Sequence, residues 1–196
     1  MINAIVLAAG ESRRMGMLKP LLPFDHENFL EHILNVLKSS DVDEITVVLG
    51  AKAETVKESV DLSNVSVVIN EEYEKGQLSS LFAALRQISR QTRAILLCLV
   101  DHPFITSELV NDIIRKFKET ASPVIIPVYN KKRGHPTLFS EVLFEDLLNA
   151  PLDKGARYIV YSNEDKLVEL DTYEKGACIG INTPEEYEFY FKRKCK

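Results

Sequence analysis

Between Leu7 and Leu22 the chain reads LAAGESRRMGMLKPLL, with two glycines, two arginines and a lysine set between apolar runs. Glycines at both ends let the backbone turn sharply and present N–H groups, and Arg14 and Lys19 can set fixed positive charge beside a phosphate. The chemistry this supports is an anion cradle; the competing reading is a surface turn with solvated basic side chains. A P-loop is excluded, because Gly16 is followed by Met17, Leu18 and Lys19 instead of Lys and Ser or Thr. The dinucleotide fingerprint fails as well, since Ser12 stands where its second glycine belongs.

A second candidate is Asp101, directly after the apolar run AILLCLV. A carboxylate at the C-terminal tip of a central strand can hold Mg²⁺, which takes one or two protein oxygens and leaves the rest to water and phosphate. The same residue before a proline-containing turn can cap nearby backbone N–H groups. His102 stays open between a metal-site neighbour, a substrate contact and a hydrogen-bonded rim histidine. Asn182 can cap the final helix or offer its carbonyl oxygen as a second ligand. Three further stretches, GQLSSL at Gly76, RGHPTLF at Arg133 and DKGAR at Asp153, are polar and glycine-marked where strands run out. His135 reads as a turn residue, His26 and His32 receive no role, and the absence of GxSxG disfavours acyl transfer.

These residues need a scaffold, and apolar periodicity supplies one. Ile2 to Ala9 is a compact apolar run, the pattern of a strand buried on both faces. Asn28 with Glu31 resembles a capping box, ahead of a helical stripe of Phe29, Leu30, Ile33, Leu34 and Leu37. Strands are expected from Glu44, Val65, Ala94 and Pro123. Helices are expected over Ala53 to Val60, along Leu78, Leu81, Phe82, Leu85 and Ile88, and from Thr106 or Ser107. Pro184 is expected to open the last helix. This alternation implies a mostly parallel sheet with right-handed crossovers and helices on both faces, an α/β/α three-layer arrangement. Ligands in such sheets bind beyond the carboxyl ends of the strands, which gathers the Gly10 loop, Asn70 onward and Asp101 on one rim.

Length and composition set the outer bounds. The 196 residues suit one domain over 1–196, and 45% hydrophobic with 27% charged residues is ordinary for a globular chain. A formal charge of -5 argues against broad attraction to nucleic acid or anionic lipid. Cys98, Cys178 and Cys195 have no zinc-ligand spacing and suit a reducing cytosol, with Cys98 read as core. The apolar start MINAIVLAAG has no basic leader and is too short for a membrane span, so a cytoplasmic protein without a membrane partner is expected. The basic tail KRKCK is read as a frayed end.

Together these motifs resemble the nucleotidyltransferase superfamily that includes the molybdenum cofactor cytidylyltransferases and guanylyltransferases. LAAGESRRMGMLKPLLP is similar to its signature L-A-A-G-x-S-x-R-M-G-x-x-K, and NEEYEKGQLSSL, VDHPFI, RGHPTLF, DKGAR and INTPEEY follow in family order. LAAG resembles the cytidylyltransferase branch, whose guanylyltransferase counterpart has LAGG. The resemblance implies a Rossmann-like α/β/α three-layer domain with a mostly parallel central sheet, of the nucleotide-diphospho-sugar-transferase type, that binds CTP (or GTP), Mg²⁺ and molybdopterin. It implies that Leu7, Ala8, Ala9, Gly10, Ser12, Arg14, Gly16 and Lys19 surround the nucleotide, with Gly76, Ser79 and Ser80 near base and ribose. Asp101 and Asn182 are the implied metal ligands, and Arg14, Lys19 and Asp101 the implied catalytic groups. His102, Arg133, Gly134, His135, Pro136, Lys154, Gly155 and Arg157 fall on the implied acceptor side. His102 replaces the family's common Gln, and Gln77 its common Met, which leaves the acceptor open. A non-catalytic molybdenum cofactor chaperone, with a molybdenum hydroxylase as client, is the rival from another class.

Overall fold

A computed structural model describes residues 1–191. The tail reading KRKCK, with Cys195, lies outside the described residues. The strands are β1 (Ile2–Leu7), β2 (Pro23–Phe24), β3 (Glu27–Asn28), β4 (Glu44–Leu49), β5 (Ser66–Ile69), β6 (Ala94–Leu99), β7 (Val124–Tyr129), β8 (Lys132–Arg133), β9 (Thr137–Ser140) and β10 (Val168–Asp171). The helices are α1 (Phe29–Lys38), α2 (Ala53–Ser59), α3 (Gln77–Leu85), α4 (Ser107–Thr120), α5 (Phe144–Leu148), α6 (Arg157–Ser162) and α7 (Pro184–Phe191).

The main sheet runs β10-β7-β9-β6-β1-β4-β5, with β8 beside β7, and β2 and β3 form a separate small hairpin. β1 lies parallel to both β4 and β6, and every residue of β1 and β6 is buried. Their unbroken apolar runs follow from that placement, because helices cover both faces. Side chains alternate across the sheet with period two. Ala4, Val6 and Ala8 therefore face the core built on α1 and α4, whereas Ile5, Leu7 and Ala9 face the core built on α3.

The helix starts follow local chemistry. At α1 the Asn28 side chain accepts from Glu31 N (2.9 Å) and the Glu31 carboxylate accepts from Asn28 N (3.0 Å), closing the expected capping box. Thr106 caps α4 by accepting from Leu109 N. α3 stops at Leu85, so Ile88 lies beyond the helix to which its spacing assigned it.

The sheet is mostly parallel, yet β9 inserts antiparallel between β6 and β7. The segment NKKRGHP, read as a turn-rich insertion, begins with a tight hairpin: Asn130 (φ 47°) and Lys131 (φ 64°) are both left-handed and return the chain as β8. β8 and β10 are too short, and β10 too charged, for apolar periodicity to reveal. Cys98 is buried in the core, which pushes its thiol pKa up. Among the described residues no helix is long and apolar enough to cross a membrane.

Candidate active site

The site is assembled where β1, β6 and the segment before α7 end together. After β1 the chain folds into one tight turn: Ser12 (φ 57°) accepts at its carbonyl from Met15 N (2.9 Å) and Gly16 N (3.1 Å). Gly16 (φ 72°) ends that turn, a conformation glycine adopts without steric cost. The Ser12 hydroxyl then accepts from Lys19 N at 3.0 Å, so the two ends of the loop are tied together. Buried Met15 anchors the loop to the core, leaving Arg13 and Arg14 exposed.

Lys19 projects across to the far side of the rim. Its ammonium donates to Asp101 Oδ2 at 2.9 Å and to Asn182 Oδ1 at 2.7 Å, with both the Lys19 and Asp101 side chains largely shielded. Val100 N donates to Leu7 O, and Ile181 N donates to Asp101 O at 2.7 Å, which locks the two strand ends and the Asn182 segment in register. Neither the carboxylate nor the amide side chain caps a helix here. Thr183 and Glu186 form the cap of α7, while Asn182 sends its side-chain oxygen to Lys19. Asp101 likewise spends its carboxylate on Lys19, and α4 is capped by Thr106.

Two cavities meet at this point. A cleft of about 310 Å³ is lined by Leu7, Ala9, Gly10, Ser12, Arg14 and Lys19, with Gly76 and Ser80 opposite. A larger cavity of about 1030 Å³ is lined by His102, His135, Lys154, Gly155 and Arg157. Arg14, Gly76, Gln77, Asp101 and Asn182 line both. Among the described residues, neither Arg14 nor Arg157 has an ion-pair or hydrogen-bond partner within the protein, whereas Lys154 Nζ lies 5.0 Å from the centre of the Tyr158 ring.

Several candidates line neither of these two cavities. Ala8 points to the opposite core, and Gly16 shapes the loop without lining either cavity. Ser79 is buried, donating toward Glu72 O (3.0 Å) and Gly76 O (2.7 Å) and accepting from Asn70 Nδ2 (2.9 Å), so its hydroxyl braces the chain under the cleft. Arg133 is gripped by Glu164 through two guanidinium nitrogens and by Glu169 at 2.7 Å, which pushes its pKa further up and commits its charge. Gly134 is demanded by packing, because a Cβ there would lie 2.5 Å from Ala177 O, and Pro136 is buried behind it. The rings of His102 and His135 meet edge to face at 4.6 Å. Burial lowers the pKa of His102 against the opposing pull of Asp101, and burial reinforced by His102 brings His135 down to about 4.

The structure also adds residues that spacing did not single out. Tyr73 and Arg13 line the first cleft, and Tyr158 and Tyr161 the second. Gly50 lets Tyr73 approach, since a Cβ there would lie 2.8 Å from both Ala9 O and Tyr73 Cβ. Buried Asn70 holds Ser79 and Ser80 by hydrogen bonds of 2.9 Å and accepts from Glu72 N. A polar residue at a strand end, followed by two hydroxyls nine and ten residues on, is the sequence signal of that support.

The mostly parallel sheet thus presents a basic glycine loop, an aspartate and an asparagine together at one rim. The chain belongs to the family of the MobA-like NTP transferase domain, whose model matches residues 4–167. It is 29% identical to the molybdenum cofactor cytidylyltransferase of Escherichia coli (strain K12), over 95% of this chain and 93% of that one. A probable molybdenum cofactor guanylyltransferase of Natranaerobius thermophilus is 26% identical, again over 95% and 93%. Among solved structures, Rv0371c from Mycobacterium tuberculosis H37Rv superposes with a TM-score of 0.88 at 30% identity over 97% of both chains. The same protein has been solved in complex with manganese, with a TM-score of 0.80 at 27% identity over 97% of this chain and 98% of that one.

Proposed function

We propose that this protein transfers CMP from CTP to the terminal phosphate of molybdopterin and releases pyrophosphate. The observation that carries the reading is the junction at Asp101 and Asn182, where the smaller cleft and the larger cavity share one wall. A donor triphosphate in the first and a phosphorylated acceptor in the second would bring their reacting phosphates to the same place. The acceptor is itself the nucleophile, so no covalent intermediate on the protein is required.

The donor set fits a magnesium ion. Asp101 Oδ2 and Asn182 Oδ1 already converge on one cationic centre, the Lys19 ammonium, and hard oxygens with room for phosphate suit Mg²⁺. Among the described residues no cluster of three His, Cys, Asp or Glu side chains could form a closed metal cage. An ion held by Asp101 and Asn182 would neutralise charge on the phosphate oxygens. The manganese complex of Rv0371c supports divalent-ion use in a relative.

The chain's own residues do the positioning. Gly10 offers backbone without a side chain, Ser12 fixes the loop, and Lys19 and Arg14 supply charge where negative charge develops on the phosphoryl oxygens and the departing pyrophosphate. Arg14 lines both cavities and can reach either phosphate group. His102 and His135, held neutral by burial, offer the acceptor hydrogen bonds but not charge. Ala9 lines the cleft, and its methyl takes space that glycine would leave, which favours a pyrimidine base over a purine.

The test is incubation with each nucleoside triphosphate, Mg²⁺ and purified molybdenum cofactor, followed by pyrophosphate assay and mass analysis. The expected product is the CMP adduct, with CTP preferred to GTP. Binding of cofactor with no nucleotide consumed would overturn the catalytic reading in favour of a chaperone.

A further inference from the structure

The Lys19 ammonium holds two oxygens at once, Asp101 Oδ2 at 2.9 Å and Asn182 Oδ1 at 2.7 Å. A side-chain amide has a single oxygen, so Asn182 has no second one to offer another cation. A magnesium-sized ion takes its oxygens at about 2.0–2.1 Å and would sit against these same two atoms. Lys19 cannot stay there beside it. Two cations on one pair of oxygens repel at short range, and the Lys19 and Asp101 side chains are both largely shielded from the water that would screen them.

The backbone under Lys19 is fixed, whereas its side chain has somewhere else to go. Lys19 N donates to the Ser12 hydroxyl at 3.0 Å, Lys19 O accepts from Leu22 N at 3.1 Å, and the next residue is the buried Pro20. From that fixed point extends a flexible four-carbon stem ending in a compact charge with rotatable donors. Lys19 also lines the smaller cleft together with Ser12 and Arg14, so phosphates bound in that cleft would give the ammonium a second anionic partner.

We propose that Lys19 is the internal occupant of the metal position: it covers Asp101 and Asn182 until a nucleotide binds, and gives them up when its ammonium moves to the phosphates. Lysine and metal then alternate on one pair of oxygens, and the divalent ion is admitted with the nucleotide and not before it. The contact also keeps the partly shielded Asp101 carboxylate paired while the cleft holds no phosphate. The inference rests on the transferase reading for placing a metal at Asp101 and Asn182.

The probe is Mn²⁺, whose paramagnetic resonance signal reports the free ion, titrated into the full chain without nucleotide. An ion that finds its oxygens free in only about a tenth of the molecules binds about tenfold more weakly than the bare site would allow. Lys19→Met keeps most of the stem and removes the ammonium, so it should bind Mn²⁺ about tenfold or more tightly than the wild type. Adding Asp101→Asn to that variant should abolish the gain. Arg14→Met controls for charge alone, because Arg14 lines the same two cavities and makes no ion pair among the described residues; its Mn²⁺ affinity should change less than about threefold. Lys19→Gln repeats the measurement if Lys19→Met does not fold. Equal affinity in the wild type and the folded Lys19 variant overturns the proposal, as does an equal gain in Arg14→Met or a gain that survives Asp101→Asn. The two readings fail separately. A wild type that consumes CTP with Mg²⁺ while its Lys19 variant gains no Mn²⁺ affinity loses the exchange and keeps the transferase, whereas a gain confined to the Lys19 variant of a protein that consumes no nucleotide does the reverse.

Discussion

Arg14, two residues before Gly16, and Arg133, directly before Gly134, both lie in basic, turn-rich stretches that run out from the sheet, and the sequence reading expects each to face a phosphate, Arg14 that of the nucleotide and Arg133 that of the acceptor. Their surroundings differ completely. Arg14 lines both cavities with no partner among the described residues, and Arg133 is clasped by Glu164 and Glu169. A guanidinium bound by two carboxylates has its charge neutralised and its donors filled, so it stabilises the fold locally and has little left for a phosphate. On the proposed nucleotide side Arg14 alone is left unpaired among the described residues, since Lys19 pairs with Asp101 and Arg13 with Glu11, and on the proposed acceptor side Arg133 is spent on structure, which leaves Arg157.

The largest expected effect falls at the junction. Asp101→Ala should remain folded by circular dichroism and lose about 10²- to 10³-fold in turnover, the range for removing one group that stabilises developing charge. Wild-type pyrophosphate release by this variant would remove Asp101 from the reaction. Arg14→Ala comes next, with a loss of about 10- to 100-fold in kcat/KM, the equivalent of one charge-assisted hydrogen bond. Because Arg14 faces both cavities, the loss should be shared between nucleotide and acceptor, which separate KM measurements would reveal.

How much of this was legible follows the same division. The loop, Asp101 and Asn182 lie at the ends of elements whose burial is written as apolar periodicity, so their meeting at one rim followed from the sheet rule once β1 and β6 were neighbours. The acceptor side depends on long-range pairs. Nothing near Arg133 announces Glu164 and Glu169, which lie 31 and 36 residues away in sequence and reach it only because β10 pairs with β7. β9 was hidden for a related reason: THR-LEU-PHE-SER is four residues of buried strand whose place between β6 and β7 depends on pairing on both sides. Ser79 shows the same limit at short range, since Asn70 holds it and Ser80 alike and only the bonds of its hydroxyl to Glu72 O and Gly76 O set it apart.

A stability measurement sharpens the contrast between the histidines and the free cations. His135 has a folded pKa of about 4 against an unfolded value near 6.5, so between those values the unfolded chain binds the extra proton. Stability contributed by this site is therefore unaffected above about pH 6.5 and falls as the pH drops toward 4. His135→Gln should flatten that part of the Tm profile relative to wild type. An unchanged slope between pH 6.5 and 4 would show that the imidazole is not held neutral by its surroundings.

The smallest effect tests the comparison most directly. Arg133→Ala should leave kcat/KM within about twofold and lower Tm by no more than about 2–4 °C, because its partners Glu164 and Glu169 are about half exposed and exposed ion pairs contribute little. The contrast with Arg157→Ala decides the matter. Arg157 makes no ion pair among the described residues and lines the larger cavity proposed for the acceptor, so its removal should raise the acceptor KM about tenfold and leave Tm unchanged. If the two variants traded phenotypes, with Arg133→Ala losing acceptor affinity and Arg157→Ala losing only stability, Glu164 and Glu169 would have to release Arg133 when acceptor binds. Arg133 would then join the site as a cation uncovered by the substrate.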